Sequence, residues 1–102
     1  MPSFEEHCKH THKELGNRFE EVHRYLDSYV RQFGYAHRFL LHHKEGIEEV
    51  RKYYGDEAAE AARLHIILDC EGYIPKKSDY STGKVDGCGI LRVHEENKEE
   101  NL

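Results

Sequence analysis

The sequence predicts an all-α protein: a small antiparallel bundle of three or four helices with a short irregular or β-hairpin appendage at its C-terminal end. Three observations lead there. Only two prolines occur in 102 residues, which leaves room for long helices. A heptad seam starts at Phe19 and continues through Leu26, Phe33, Leu40, Ile47 and Tyr54. Its companion series is Val22, Tyr29, Ala36, His43 and Val50, and ten of these eleven positions are apolar or aromatic. Beyond Gly55-Asp56, DEAAEAARLHIILDCEG is rich in strong helix formers.

The elements follow in order. Ser3-Phe4-Glu5-Glu6 is a capping box, with a hydroxyl for the orphan amides and a Glu three residues on to answer it. It opens a helix from Phe4 to about Leu15, stopped by Gly16-Asn17. The seam then predicts helix from Phe19 to Tyr54. Gly34 and Gly46 sit off the seam, and each disfavours helix by about 1 kcal/mol, so either marks a possible break. Gly55 suits a C-terminal cap and Asp56 an N-cap. Glu57 and Glu60 favour the start of the last long helix, and Gly72 and Pro75 its end. After Pro75 the helical period disappears. Val85, Asp86-Gly87 and Ile90–Val93 fit a small hairpin or edge strand. The expected organisation is one helical domain over 1–93, with its core at about 17–75, and a disordered charged tail at 94–102.

Composition narrows the function classes. The net charge of −5 shows no basic face, so nucleic acid is not the expected partner. No apolar run approaches the roughly 20 residues of a membrane span. MPSFEEHCKH is polar from its first residues and does not read as a signal peptide. Three cysteines, an odd and sparse set, fit a reduced cytoplasmic compartment, with a Cys70–Cys88 bridge left open.

The chemistry lies in the histidines. AHRFLLHHKEGI places His37, His42 and His43 in a stretch that otherwise reads as core helix. On an unbroken helix His37 and His43 fall about 60° to either side of Leu40, flanking the buried seam, while His42 faces away, toward solvent or a different neighbour. His65 and Asp69 are one turn apart and share a face. A hairpin about Gly55 sets His43 beside His65 and Leu40 opposite Asp69. The candidate metal site is therefore His37, His43, His65 and Asp69. Imidazole nitrogen with carboxylate oxygen suits Zn²⁺, Fe²⁺, Mn²⁺ or Ni²⁺. His23 and Asp27 form another pair at the same spacing, but on a continuous helix His23 lies about 21 Å from His37. It joins only if the chain turns back near Gly34. Glu20-x-x-His23 is half of a di-iron motif without its second half. His7, Cys8, His10 and His12 read as surface decoration.

HRFLLHHKEGI, then YYG, then RLHIILDCEGYIP resembles a family of short prokaryotic and phage proteins with a pattern H-R-x-x-L-x-H-H-x-x-G-I and, further on, H-V-x-x-D-x-G-x-I-P. The matching residues are His37, Arg38, Leu41, His42, His43, Gly46, Ile47, Gly55, His65, Ile74 and Pro75. The resemblance implies that the histidines act as one set and implies no reaction. The same segment has a weaker, degenerate resemblance to HD-domain phosphohydrolases. There the His-Asp pair falls on His65-Ile66, and Asp69 stands one turn on.

Two functions are expected from these residues. In the first, the chain binds a divalent metal and acts as a metal-dependent hydrolase, with His37, His43 and His65 as ligands, Asp69 as ligand or orienter, and Arg38, Lys44 and Arg63 facing an anionic substrate. In the second, it is a non-enzymatic interaction module that self-associates into a homo-oligomer through the seam, its histidines forming a polar core network.

Overall fold

The computed structural model describes residues 2–92, so the predicted tail at 94–102 lies outside the described residues. The fold is mostly helical and has no strand among those residues. Helix α1 spans Phe4–Leu15. The Ser3 hydroxyl accepts the Glu6 amide at 3.1 Å, and the Glu6 carboxylate accepts the Ser3 amide at 2.9 Å, which completes the capping box. Gly16 ends the helix with φ 80°.

The chain then reverses. Phe19 takes a left-handed conformation, φ 52°, with the Asn17 side chain accepting its amide at 3.0 Å. Helix α2, Glu20–Leu26, runs back along α1. The Thr11 hydroxyl fastens the turn by donating to the Arg18 carbonyl at 2.7 Å.

The seam does not form one long helix. After α2 come α3 (Val30–Phe33), a 3-10 turn (Gly34–His37), α4 (Arg38–Leu41) and α5 (Lys44–Tyr54). Val22, Leu26, Ile47 and Val50 are buried, whereas Tyr29 and Phe33 are 41% and 52% exposed. The pattern is apolar at these positions, yet they serve separate short elements.

Two breaks carry the architecture. Gly34 has φ 55° and ψ −132°, a region costly for any residue with a Cβ; it turns the chain back so that α4 returns toward α2. The second break is His42-His43, where the backbone opens to an extended conformation at His43, φ −160° and ψ 174°. It brings the Leu41 carbonyl against Gly46, where an added Cβ would sit 1.9 Å from that oxygen. The second break therefore precedes Gly46, and the glycine accommodates it.

Helix α6, Asp56–Asp69, follows α5 through Gly55 as an antiparallel hairpin. It is the central helix and packs against α1, α2 and α5. Ala58, Ala59, Ala61 and Ala62 are buried along it, and their small side chains let three neighbours approach closely. Beyond Pro75, Lys77–Thr82 forms a short helix, α7, where no helical period was expected. Asp79 supplies its start by accepting the Lys76 amide at 3.0 Å. The expected hairpin is reduced to one isolated antiparallel bridge, Val85–Leu91. No helix among the described residues is long and apolar enough to cross a membrane.

Candidate metal centre

Two helix ends and one helix face meet at a buried cluster. Asp27 is the residue closing α2, and His42 closes α4. His65 and Asp69 project from consecutive turns of α6. Their ligand atoms converge. His42 Nε2 lies 2.9 Å from Asp69 Oδ2, 3.1 Å from His65 Nε2 and 3.3 Å from Asp27 Oδ1. His65 Nε2 lies 3.2 Å from Asp69 Oδ2 and 3.3 Å from Asp27 Oδ1. An ion with ligands at 2.0–2.1 Å spaces them by about 3.3 Å in a tetrahedron and about 3.0 Å at adjacent octahedral corners. The observed separations fall in that range.

A single proton can be shared here, with one Nε2 donating to Asp69 Oδ2 and the other accepting. Two carboxylate oxygens and two ring nitrogens nonetheless converge on one point. A divalent cation there would answer all four atoms and balance the two carboxylates in charge. The surroundings agree. Burial alone would raise Asp69, but hydrogen bonds from His42, His65 and His7 outweigh it and hold the carboxyl far below its ordinary range. Asp27 is held down in the same way against its burial by His37, His42 and His65. His65 is lowered by burial and raised by these two carboxylates, and the carboxylates win. The cluster thus attracts positive charge.

Of the residues expected at the site, His65 and Asp69 lie in the cluster and His37 lies at its edge. His37 Nδ1 donates to the Gly34 carbonyl, and its Nε2 sits 3.1 Å from Asp27 Oδ1. His43 is elsewhere. Its Nδ1 accepts the Gly46 amide at 2.9 Å and its Nε2 donates to the Leu40 carbonyl at 3.0 Å. Nδ1 caps α5 and Nε2 is held by α4, so no lone pair is left for an ion. His42, expected to face away from the seam, is 0% exposed and takes the place given to His43. The reason is the break between them, which destroys the helical phase that assigned their directions.

Asp27, His23 and His7 were set aside in the sequence and are at or next to the centre. The available signal was the repeated spacing His-x-x-x-Asp, at His23/Asp27 and again at His65/Asp69. His7 had no such signal; it is buried because α1 lies on α6, and its Nε2 donates to Asp69 Oδ1 at 3.0 Å. No known family, curated protein or solved structure matches this chain.

Of the cations expected to face an anionic substrate, Arg38 lies against the cluster, its Nη2 3.7 Å from Asp69 Oδ1. Arg38 is 3% exposed and donates to the carbonyls of Asp69 at 3.0 Å and Cys88 at 2.6 Å, which ties the C-terminal segment to the end of α6. Arg63 pairs with Glu60, and Lys44 is exposed. The cysteines Cys8, Cys70 and Cys88 are free thiols. A surface groove by Phe19, Arg24, Tyr54 and Ala58 includes none of the cluster residues.

Proposed function

We propose that this chain is a divalent-metal-binding protein whose ion is held by Asp27, His42, His65 and Asp69. The observation that carries this reading is the set of ligand-atom separations between 2.9 and 3.3 Å, in which two ring nitrogens and two carboxylates converge at a spacing suited to an ion. The two histidines and two carboxylates fit Zn²⁺, Fe²⁺, Mn²⁺ or Ni²⁺. Such an ion ties α2, α4 and α6 together, so its binding energy adds to folding.

One observation favours a second role, metal-dependent hydrolysis. The Asp27 side chain is 32% exposed, whereas those of His42, His65 and Asp69 are at most 2% exposed. An octahedral ion would have room for water on the Asp27 side, and bound water is a nucleophile near neutral pH.

The test is elemental analysis of tag-free protein purified without chelator, with a His42→Ala/His65→Ala variant and an Asp27→Asn variant alongside. One tightly held ion per chain, lost in the double variant and weakened in Asp27→Asn, is the expected result. Metal-free wild type that also fails to take up added Zn²⁺, Mn²⁺, Ni²⁺ or anaerobic Fe²⁺ sinks the reading. The hydrolase role is then decided by a phosphoester and amide screen with the loaded protein.

A further inference from the structure

The centre described above uses one nitrogen of His65 and one oxygen of Asp69. Their other atoms face a second group. His65 Nδ1 lies 2.8 Å from His23 Nδ1, and Asp69 Oδ1 accepts from His7. The His7 and His65 rings stack with centroids 3.7 Å apart. One ring nitrogen from each of His7, His23 and His65 falls within 4.8 Å of the others, and these residues are at most 1% exposed.

Hydrogen bonds fix two of the three tautomers. The Thr11 hydroxyl has one proton and faces the carbonyls of His7, Cys8 and Arg18 at 3.1, 3.1 and 2.7 Å. It therefore donates to a carbonyl, and His23 Nε2, 3.1 Å from its oxygen, is a donor. His23 Nδ1 is left as a bare lone pair aimed at His65. His7 Nε2 donates to the Asp69 carboxylate, so His7 Nδ1 is also a lone pair, buried and without a partner. His23 Nδ1 can accept from His65 Nδ1 at 2.8 Å, whereas His7 Nδ1 is left unanswered in a dry interior, where such a polar atom is costly.

We propose that His7, His23 and His65 form a second divalent-cation site, adjoining the first and sharing the His65 ring. The inference rests on the metal-centre reading. Asp69 serves both sites, as a ligand of the first ion and as the hydrogen-bond acceptor that orients His7 for the second, the carboxylate–histidine–metal relay that tunes many metal ligands. His65 would ligate through both nitrogens and release its remaining proton to solvent. The first ion has by then neutralised Asp27 and Asp69, so the second binds more weakly, by about tenfold or more.

Titration of the chelator-stripped full chain with Co²⁺, followed by calorimetry and visible absorption, reads this out. Wild type should take two equivalents in separate steps. His7→Ala and His23→Ala should each keep the first and lose the second. With Mn²⁺, the wild-type paramagnetic resonance signal should broaden and lose intensity per ion as the second equivalent enters, while His7→Ala keeps the six-line spectrum of an isolated ion. A wild-type protein that stops at one equivalent overturns the second site and leaves the first standing. So does a second equivalent that survives both substitutions. No binding at all overturns both readings. Should His23→Ala fail to fold, the wild-type stoichiometry and His7→Ala decide the matter.

Discussion

His42 and His43 are neighbours with unrelated work. His42 brings Nε2 to within 3.3 Å of three other ligand atoms, and His43 caps a helix. Replacing His43 with Ala should destabilise the fold by about 1 kcal/mol, read as a shift in urea midpoint, with metal content unchanged. Replacing His42 with Ala should remove the tightly held ion, read by elemental analysis. If His43→Ala loses the ion and His42→Ala keeps it, their assignments are reversed. The two residues also mark how far the sequence could be read. His65 and Asp69 share a face on the unbroken α6, so periodicity alone puts them together. His42 and His43 straddle a break, and rotation about a helix axis has no meaning across it. Asp27 reaches the site by the one route open to the His23/Asp27 pair, a chain that turns back at Gly34; on a continuous helix it would lie too far away.

Among elements, the joints decide more than the helices. The apolar pattern correctly marks Val22, Leu26, Ile47 and Val50 as core. It does not distinguish one long helix from several short ones, because each short piece still needs a buried face. Gly46 is the joint with least room. In Gly46→Ala the new Cβ would meet the Leu41 carbonyl at 1.9 Å, and α4 must move away from α5. The expected loss is about 3 kcal/mol, the upper part of the range for overpacking, together with loss of the ion as His42 is displaced. Thermal melts and metal content measured on the same preparation check it. A variant with wild-type stability would show that the joint is pliable.

At the scale of the whole molecule, a bound ion and protons would act on the same fold. With metal at a hundred times its dissociation constant, binding adds about 2.7 kcal/mol. Chelation should then lower Tm by about 10 °C or more in a domain of this size; an unchanged melt would mean that no ion contributes to folding. The stripped protein should also weaken in acid. Burial holds His7 and His43 below their ordinary value, and burial with the neighbouring His65 charge holds His23 down at about 3. In the unfolded chain each titrates near about 6.5. As pH falls below that value the unfolded state takes up protons that the folded state refuses, so stability drops. His65 works in the opposite sense, since its folded value is raised and its contribution fades as pH increases. The Asp27 and Asp69 contributions persist above their unfolded value near about 4 and are intact at pH 5. With three histidines against one, the urea midpoint in chelator should be lower at pH 5 than at pH 7.5. An equal or higher midpoint at pH 5 would contradict this balance.

Helix α1 contributes His7 and no ligand of the first ion, and it is fastened at its far end by Thr11 on the Arg18 carbonyl. Opening of α1 as a unit would leave Asp27, His42, His65 and Asp69 in place. Such local opening gives water and ions a route to His23 and to the inner nitrogen of His65 without global unfolding. Amide exchange in α1 should then be faster than in α6 while only the first ion is bound. It should slow when the second equivalent arrives, because the latch is then drawn shut by the ion it admitted.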